Sequence, residues 1–245
     1  MTYCVGMLLD KGLVLMSDTR TNSGVDNIST FRKMHSWSVP GERMIAVMTA
    51  GNLATTQSVI SQLEERGKAP SERHNSLLEA PTMFQVATIV GKLLRDTIAR
   101  ADATNGETAG SGTFTASMIV AGQIKGMEPR LFLIYPEGNF IEASFDTPFF
   151  QIGETKYGRP ILIRGYDRDM SFEDAVKLML VSFDSTIKAN LSVGLPLDLL
   201  VIARDAFQPL HTRRIGGEDS YYRSVSEGWS EALKNAFHSL PDYSF

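Results

Sequence analysis

The stretch MTYCVGMLLDKGLVLMSD, residues 1–18, determines how the chain can fold. Two short apolar runs flank the sequence Asp-Lys-Gly at positions 10–12, and this pattern predicts a β-hairpin with a tight turn. The second strand ends at Asp18, so the hairpin would carry this carboxylate back beside the start of the chain. Small residues after an initiator methionine permit its removal, which would make Thr2 the first residue. We therefore expect a threonine hydroxyl, a free α-amine and a carboxylate at one place.

A threonine at the start of a chain carries both a nucleophile and a base. An α-amine has an ordinary pKa of about 7.7–8.0, so a useful fraction is neutral near pH 7 and can take the proton of the neighbouring hydroxyl. Lys33 is expected on a third strand, residues 29–39, that pairs beside the hairpin. There its ammonium would stabilise the activated Thr2 hydroxyl, and Asp18 would keep Lys33 charged and oriented. The spacing also fits an ordinary surface pair of Lys33 and Asp18.

A predicted strand at 43–50 is followed directly by Gly51 and a helix. Backbone N–H groups at the start of a helix can receive an oxyanion, and glycine lets a substrate carbonyl approach closely, so Gly51 is a candidate oxyanion-hole residue. The simpler interpretation is that Gly51 only makes the turn. Thr21 and Thr49 lie near strand ends that would flank the site, and they are candidates for lining a substrate cleft. Ordinary β-propensity explains both threonines equally well.

The composition limits the classes of function. With 245 residues, of which 43% are hydrophobic and 21% charged, the chain suits one domain over residues 1–245. A net charge of −4 offers no surface suited to neutralising phosphates, so nucleic acid is not expected as a partner. The single cysteine excludes an intramolecular disulfide, no apolar run is long enough to span a membrane, and the first residues lack the features of a secretory signal. We therefore expect a cytoplasmic protein.

The order of the predicted elements indicates a layered fold. Strands joined by tight turns favour antiparallel pairing, and helices that arrive in pairs would cover the sheets from outside, which gives an α+β sandwich. Polar loops are predicted at 19–27 and 103–112, and Gly67 is expected to end the first helix before a surface connection. Asn52 and Ser171 are expected to cap the first and fourth helices. The predicted helices cover residues 52–66, 82–100, 157–163, 171–189 and 219–240.

Several of these features together resemble a known family. The hairpin ends in Ser-Asp-Thr-Arg at 17–20, a lysine stands at position 33, and a strand ends in Thr-Ala-Gly at 49–51 before a helix. This pattern resembles proteasome β-type subunits, and residues 1–34 most resemble the bacterial Anbu (ancestral β-subunit) group. The resemblance implies an N-terminal nucleophile (Ntn) hydrolase with a four-layer αββα sandwich of two antiparallel sheets flanked by helices.

The resemblance also implies roles and partners. It assigns Thr2 as the nucleophile, Asp18 and Lys33 as its supporting charged pair, and Gly51 as the oxyanion-hole glycine. The expected substrate is a peptide or amide, and neither a metal nor an organic cofactor is needed. Self-assembly into rings or open helical stacks is expected as well.

Later positions depart from the family pattern. Where proteasome β-subunits carry a Gly-Ser-Gly corner, this chain has Glu154 in place of the serine. A second supporting motif, Asp-x-x-Ser-Gly-Gly, is matched by Ser192 but lacks its aspartate unless Asn190 serves instead. Glu154 could pair with the terminal amine and raise its pKa, which would weaken the amine as a base.

Three hypotheses about function follow from the sequence. The first is an N-terminal threonine hydrolase of peptide or amide bonds that assembles with copies of itself. The second is an amidase or acyl transferase acting on small or conjugated amides. The third is a catalytically silent scaffold or assembly subunit, which retention of Met1 would favour because Met1 would block the amine of Thr2.

Overall fold

The computed structural model describes residues 1–22, 28–68, 76–104, 106 and 112–245. The loops predicted at 19–27 and 103–112, and the connection after Gly67, lie partly outside these ranges. The described strands are β1 (Tyr3–Leu9), β2 (Gly12–Asp18), β3 (Arg20–Asn22), β4 (Ile28–Thr30), β5 (Met34–Val39), β6 (Arg43–Gly51), β7 (Ala116–Ile124), β8 (Arg130–Ile134), β9 (Phe140–Glu142), β10 (Phe149–Gly153), β11 (Leu197–Ala203) and β12 (His211–Ile215). The described helices are α1 (Leu53–Lys68), α2 (Met83–Thr104), α3 (Arg159–Gly165), α4 (Phe172–Ala189) and α5 (Ser220–His238).

Two antiparallel sheets form the centre of the protein. The first has the strand order β10-β1-β2-β11-β12 and the second the order β5-β6-β7-β8-β9, while β3 and β4 pair as a separate ribbon. Helices α1 and α2 pack on the second sheet, α4 packs on β1 and β2 of the first sheet, and α3 and α5 pack on α4. The layers are therefore helix, sheet, sheet, helix, and the αββα sandwich expected from the sequence is confirmed.

Three apolar clusters fill the three spaces between the four layers. One joins α1 and α2 to the second sheet, one joins α4 to the first sheet, and the third lies between the sheets. Along β1, Tyr3 and Val5 belong to the helix-side cluster, while Cys4 belongs to the cluster between the sheets. The two strands of the first hairpin are therefore mostly apolar, because both of their faces are buried.

Two predicted N-caps are confirmed, and the predicted end of the first helix at Gly67 is wrong. The amide of Thr55 donates to Asn52 Oδ1 at 3.1 Å, and the amide of Asp174 donates to Ser171 Oγ at 3.0 Å, so both predicted N-caps form. Gly67, however, lies inside α1, which continues to Lys68. A glycine costs a helix only about 1 kcal/mol relative to alanine, and the packing of α1 on the sheet outweighs that cost.

The predicted third strand is wrong in a way that matters for the site. Residues 28–30 pair with β3, residues 34–39 pair with β6 of the second sheet, and Lys33 lies between these two strands. Lys33 thus lies in the segment that leads into β5 of the second sheet, and its side chain reaches the hairpin from there rather than from a neighbouring strand. Apolar periodicity identifies a strand but carries no information about which distant strand it pairs with. Among the described residues, no helix combines the length and apolar character needed to cross a membrane.

Candidate active site at the start of the chain

A buried ion pair lies at the end of the first hairpin. Lys33 Nζ donates to Asp18 Oδ1 at 2.8 Å and to the carbonyl oxygen of Arg20 at 2.6 Å. The same carboxylate accepts the amide of Tyr3 at 3.0 Å and the amide of Gly194 at 3.4 Å. The side chain of Asp18 is fully buried and that of Lys33 is 5% exposed, so this is not a surface pair. Each of the two charged groups has hydrogen-bond partners besides the other, as a buried ion pair requires to offset the cost of desolvation.

The pair affects the acid–base properties of its surroundings. Burial raises the pKa of Asp18, while the Lys33 ammonium and the two backbone amides oppose that rise. Burial lowers the pKa of the Met1 α-amine, the positive charge of Lys33 lowers it further, and Asp18 acts in the opposite sense. The ammonium of Lys33 therefore acts on the start of the chain, where it favours a neutral amine.

Thr2 is held from both sides by the first sheet. Its carbonyl accepts the amide of Glu154 at 2.6 Å, and the next residue, Tyr3, is fixed to Asp18. A Cβ at Gly153 would lie 1.9 Å from the Thr2 carbonyl oxygen, and the backbone there has a φ of +84°, so only glycine fits this corner. Met1 precedes Thr2 and is 64% exposed, and while it is present the nitrogen of Thr2 belongs to a peptide bond.

An open cleft of about 760 Å³ runs past this threonine. The structure brings five residues that were predicted from the sequence into its lining: Thr2, Thr21, Lys33, Thr49 and Gly51. Asp18 is paired with Lys33, and helix α1 contributes another part of the lining. The lining residues from α1 are Leu53, Thr56, Gln57, Ile60, Ser61 and Glu64. The predicted nucleophile Thr2 and the Lys33 ammonium therefore line one open cleft.

Gly51 has a structural reason to be glycine. Its φ is +112°, and a Cβ would lie 2.5 Å from the carbonyl oxygen of Thr115 and 2.7 Å from Ala116 Cα on the paired strand β7. The close approach of β6 and β7 thus explains the residue type, which is a different reason from the turn that the simpler interpretation of the sequence offered. Gly51 also lines the cleft, so the position can serve both purposes.

The positions of the two supporting motifs lie together on the Met1 side of Thr2. They are occupied by Glu154, Asn190 and Ser192. Glu154 is buried, and its two carboxylate oxygens accept the amide of Lys156 at 3.0 Å and Nδ2 of Asn190 at 2.9 Å. The same Nδ2 lies 3.9 Å from the sulfur of Met1. The amide of Ser192 donates to Asn190 Oδ1 at 3.0 Å, which fixes the amide group that faces Glu154.

Sequence reasoning missed several residues of the cleft. Phe31, Arg32 and His35 line it beside Lys33, and burial lowers the pKa of His35. Their closeness to Lys33 in the chain was the available signal. Glu64 and Gln57 gave no such signal because they enter the site through the packing of α1. Among the described residues, no three or more of the His, Cys, Asp and Glu side chains group in a way that could hold a metal ion.

Comparisons with known proteins show the family of the chain. Residues 2–202 match the family model of proteasome subunits. The proteasome subunit beta of Methanopyrus kandleri is 24% identical over 83% of this chain and 88% of its own length. The structure of Anbu (ancestral beta-subunit) from Yersinia bercovieri is 45% identical in sequence over the full length of both chains, with a TM-score of 0.92. The structure of the Anbu complex from Pseudomonas aeruginosa is 46% identical over 99% of this chain and 98% of its own, also with a TM-score of 0.92. The chain therefore belongs to the proteasome subunit family, within its Anbu (ancestral β-subunit) group.

Proposed function

We propose that this protein is an N-terminal threonine hydrolase of amide and peptide bonds that becomes active when Met1 is removed. The observation that carries the proposal is the buried pair of Lys33 and Asp18 that ends beside Thr2 in an open cleft. An ion pair at such a position is costly to desolvate, and its use is to stabilise charge that develops on a neighbouring group. Family membership supports hydrolase chemistry of the proteasome type.

Each proposed role follows from the chemistry of the residue. Thr2 Oγ attacks the substrate carbonyl, and the α-amine of Thr2 takes its proton. Lys33 stabilises the negative charge that develops on Oγ, and Asp18 orients Lys33. The N–H of Gly51 receives the oxyanion. The C–N bond then breaks, the leaving amine takes the proton from the α-ammonium, and water hydrolyses the acyl-enzyme by the same route in reverse.

The shape of the cleft favours a peptide as substrate. It is open and long enough to be lined by β3, β6 and α1, with Thr21 and Thr49 on its walls. Threonine hydroxyls and strand backbone are suited to an extended chain, because such a chain offers alternating N–H and C=O groups. We assign Glu154, Asn190 and Ser192 the supporting role of positioning the freed α-amine.

Self-assembly and location complete the proposal. The Anbu complex of Pseudomonas aeruginosa is a helical assembly, and at 46% identity to it we expect this chain to form a homo-oligomer, either a ring or a helical stack. Cys4 is buried as a free thiol, which fits a reducing compartment such as the cytoplasm.

The decisive experiment joins a mass measurement to covalent labelling. Intact mass of the purified chain reports whether Met1 has been removed, and a peptide epoxyketone reports a hydroxyl and a free amine on one residue because it forms a ring with both. We expect full labelling of the processed chain, none for Thr2→Ala and normal labelling for the matched control Thr21→Ala. A chain with a protease-cleavable extension before Thr2 should label only after cleavage.

Other results would select one of the other hypotheses. Labelling that survives in Thr2→Ala would exclude Thr2 as the nucleophile. Retention of Met1 in all copies would favour the scaffold. Turnover of γ-glutamyl or other small amides in preference to peptides would favour an amidase or acyl transferase that uses the same residues.

A further inference from the structure

The outer helical layer contains a second large concave surface, far in sequence from the residues of the cleft. This groove of about 740 Å³ lies between α3, α4 and α5. Its walls are mainly apolar and include Tyr157, Pro160, Ile161, Leu178, Trp229 and Leu233. Contiguous apolar surfaces of this kind mark sites where another chain binds.

In the isolated chain, large apolar side chains of this groove are exposed, and some of its polar groups have no partner among the described residues. Tyr157 and Leu233 are 44% and 50% exposed, although each has a large apolar surface. The indole nitrogen of Trp229 is buried and has no acceptor among the described residues. At the rim, Arg164 has no ion-pair partner within the described part of the chain, whereas Lys177 is paired with Asp174 at 2.6 Å.

The same chain carries an exposed apolar segment that follows α5. In residues 240–245, of sequence LPDYSF, the side chains of Leu240, Tyr243 and Phe245 are 64%, 81% and 113% exposed. Three large apolar side chains within six residues are unusual on a surface unless they are buried by a partner. The segment also contains one acidic residue, Asp242, and so complements the free Arg164 of the groove.

We infer that residues 240–245 of one copy bind in the groove between α3, α4 and α5 of a second copy. The apolar side chains fill the groove, and Asp242 lies against Arg164 at its rim. The direction of α5 favours a second copy over the same chain, since the helix continues about 7.5 Å beyond Leu233 to His238 before the segment begins. A return into the same groove would need the chain to reverse direction at residues 239–241, whereas the side chains of Tyr243 and Phe245 beyond that point are exposed. The inference rests on the self-assembly proposed above and names the surfaces that carry it.

Disulfide trapping between two variants tests the contact directly. Cys4 is buried, so added cysteines are the reactive ones. A chain with Tyr243→Cys is mixed with a mass-tagged chain with Leu233→Cys under mild oxidation. The matched control replaces Leu233→Cys with Tyr221→Cys, which is similarly exposed at 47% and also on α5 but lies outside the groove.

We expect the mixed disulfide to form at least tenfold faster with Leu233→Cys than with the control. Equal rates for the two positions, or no mixed disulfide with Leu233→Cys, would overturn the inference. A double variant that closes an internal disulfide at high dilution, in preference to one between chains, would overturn the choice of a second copy.

A peptide experiment keeps the test independent of assembly. The acetylated peptide LPDYSF is added to a chain that ends at residue 239 and carries Trp37→Phe, so that Trp229 is the only tryptophan. We expect a saturable change in Trp229 fluorescence, weaker by about tenfold for Arg164→Glu and unchanged for the control Arg159→Glu, which lies outside the groove. No saturable change, or an equal change with the peptide LADASA, would contradict the inference. Far-UV circular dichroism confirms folding, and epoxyketone labelling of Thr2 in the same samples separates failure here from failure of the proposed hydrolase.

Discussion

A buried carboxylate lies on each of two sides of Thr2, and the two carboxylates differ in whether a cation is their partner. Beneath it, Asp18 has a cation, Lys33, at 2.8 Å, so its charge is balanced. On the Met1 side, Glu154 is also buried, but its described hydrogen-bond donors are the neutral groups of Asn190 and Lys156. One side is thus a complete ion pair, whereas the other carries negative charge without a described cation. Under the proposed function, the Lys33–Asp18 pair would support Thr2 as the nucleophile, and Glu154 would face the Thr2 ammonium that forms when Met1 is removed.

The Lys33 ammonium and the Glu154 carboxylate have opposite effects on the pKa of an amine at the start of the chain. The charge of Lys33 lowers the pKa of an amine at the start of the chain, as it does for Met1. The charge of Glu154 would raise the pKa of the freed Thr2 amine, since a nearby carboxylate favours the ammonium. Under the proposed function, the balance between these two effects would set the pH at which the Thr2 amine acts as a base, and each residue can be changed separately.

The largest effect is expected from removing the cation beneath Thr2. Lys33→Ala leaves Asp18 buried without a charged partner, so we expect a loss of about 3–5 kcal/mol in the free energy of unfolding. The rate of labelling or hydrolysis should fall on the order of 10²–10⁴-fold, because the developing charge on Thr2 Oγ loses its support. Urea unfolding and labelling kinetics measure the two effects.

A double variant separates stability from catalysis at this pair. Asp18→Asn with Lys33→Met removes both charges and should recover much of the stability that Lys33→Ala loses, while activity stays low. If Lys33→Ala has the same free energy of unfolding as wild type, water must hydrate the Asp18 carboxylate. The pair would then not be buried in solution.

A smaller effect is expected at the edge of the cleft. Gly51→Ala places a Cβ against the backbone of Thr115 and Ala116 at positive φ, so we expect a loss of about 1–3 kcal/mol in the free energy of unfolding. Gly41→Ala is the matched control, because Gly41 also has positive φ but nothing lies within 4 Å of an added Cβ. Equal losses for the two variants in urea unfolding would show that crowding by β7 is unimportant.

The sequence predicts the parts of the site that are determined by residues close together in the chain. The hairpin, the position of Asp18 at its end and the N-cap Asn52 all follow from residues within a short span, and the structure confirms them. Lys33 is identified by its spacing, but its strand assignment is wrong because sheet pairing is decided by distant residues. Glu64 enters the cleft for the same reason, through the packing of a whole helix.

The Met1 side of the site shows where motif reasoning stops. A motif predicts which residue types stand near the amine, and it drew attention to Glu154 and Asn190 individually. Their contact at 2.9 Å joins residues 36 positions apart and depends on how the end of β10 meets the end of α4. No local pattern contains that geometry, so the pairing of Glu154 with Asn190 rather than with a cation had to come from the structure.

The smallest expected effect, a shift of the pH profile, tests the Met1 side. Glu154→Gln removes the negative charge but keeps an acceptor for Asn190. The ammonium of Thr2 then loses a stabilising charge, so the pKa of the amine falls. Because the amine must be neutral to act as the base, the acidic limb of kcat/KM for a peptide amide should move to lower pH. Activity at pH values below the wild-type midpoint should therefore rise relative to wild type, while activity well above it changes little.

A second titrating group in the cleft provides the control for this shift. His35 also lines the cleft, and burial lowers its pKa, so it could produce an acidic limb of its own. If the limb reports the amine of Thr2, His35→Asn should leave its midpoint in place while Glu154→Gln moves it. A limb that moves with His35→Asn and not with Glu154→Gln would assign the titration to the histidine. In that case the carboxylate on the Met1 side would hold only the loop at residues 153–156, and the two sides of Thr2 would differ in structure but not in their effect on the base.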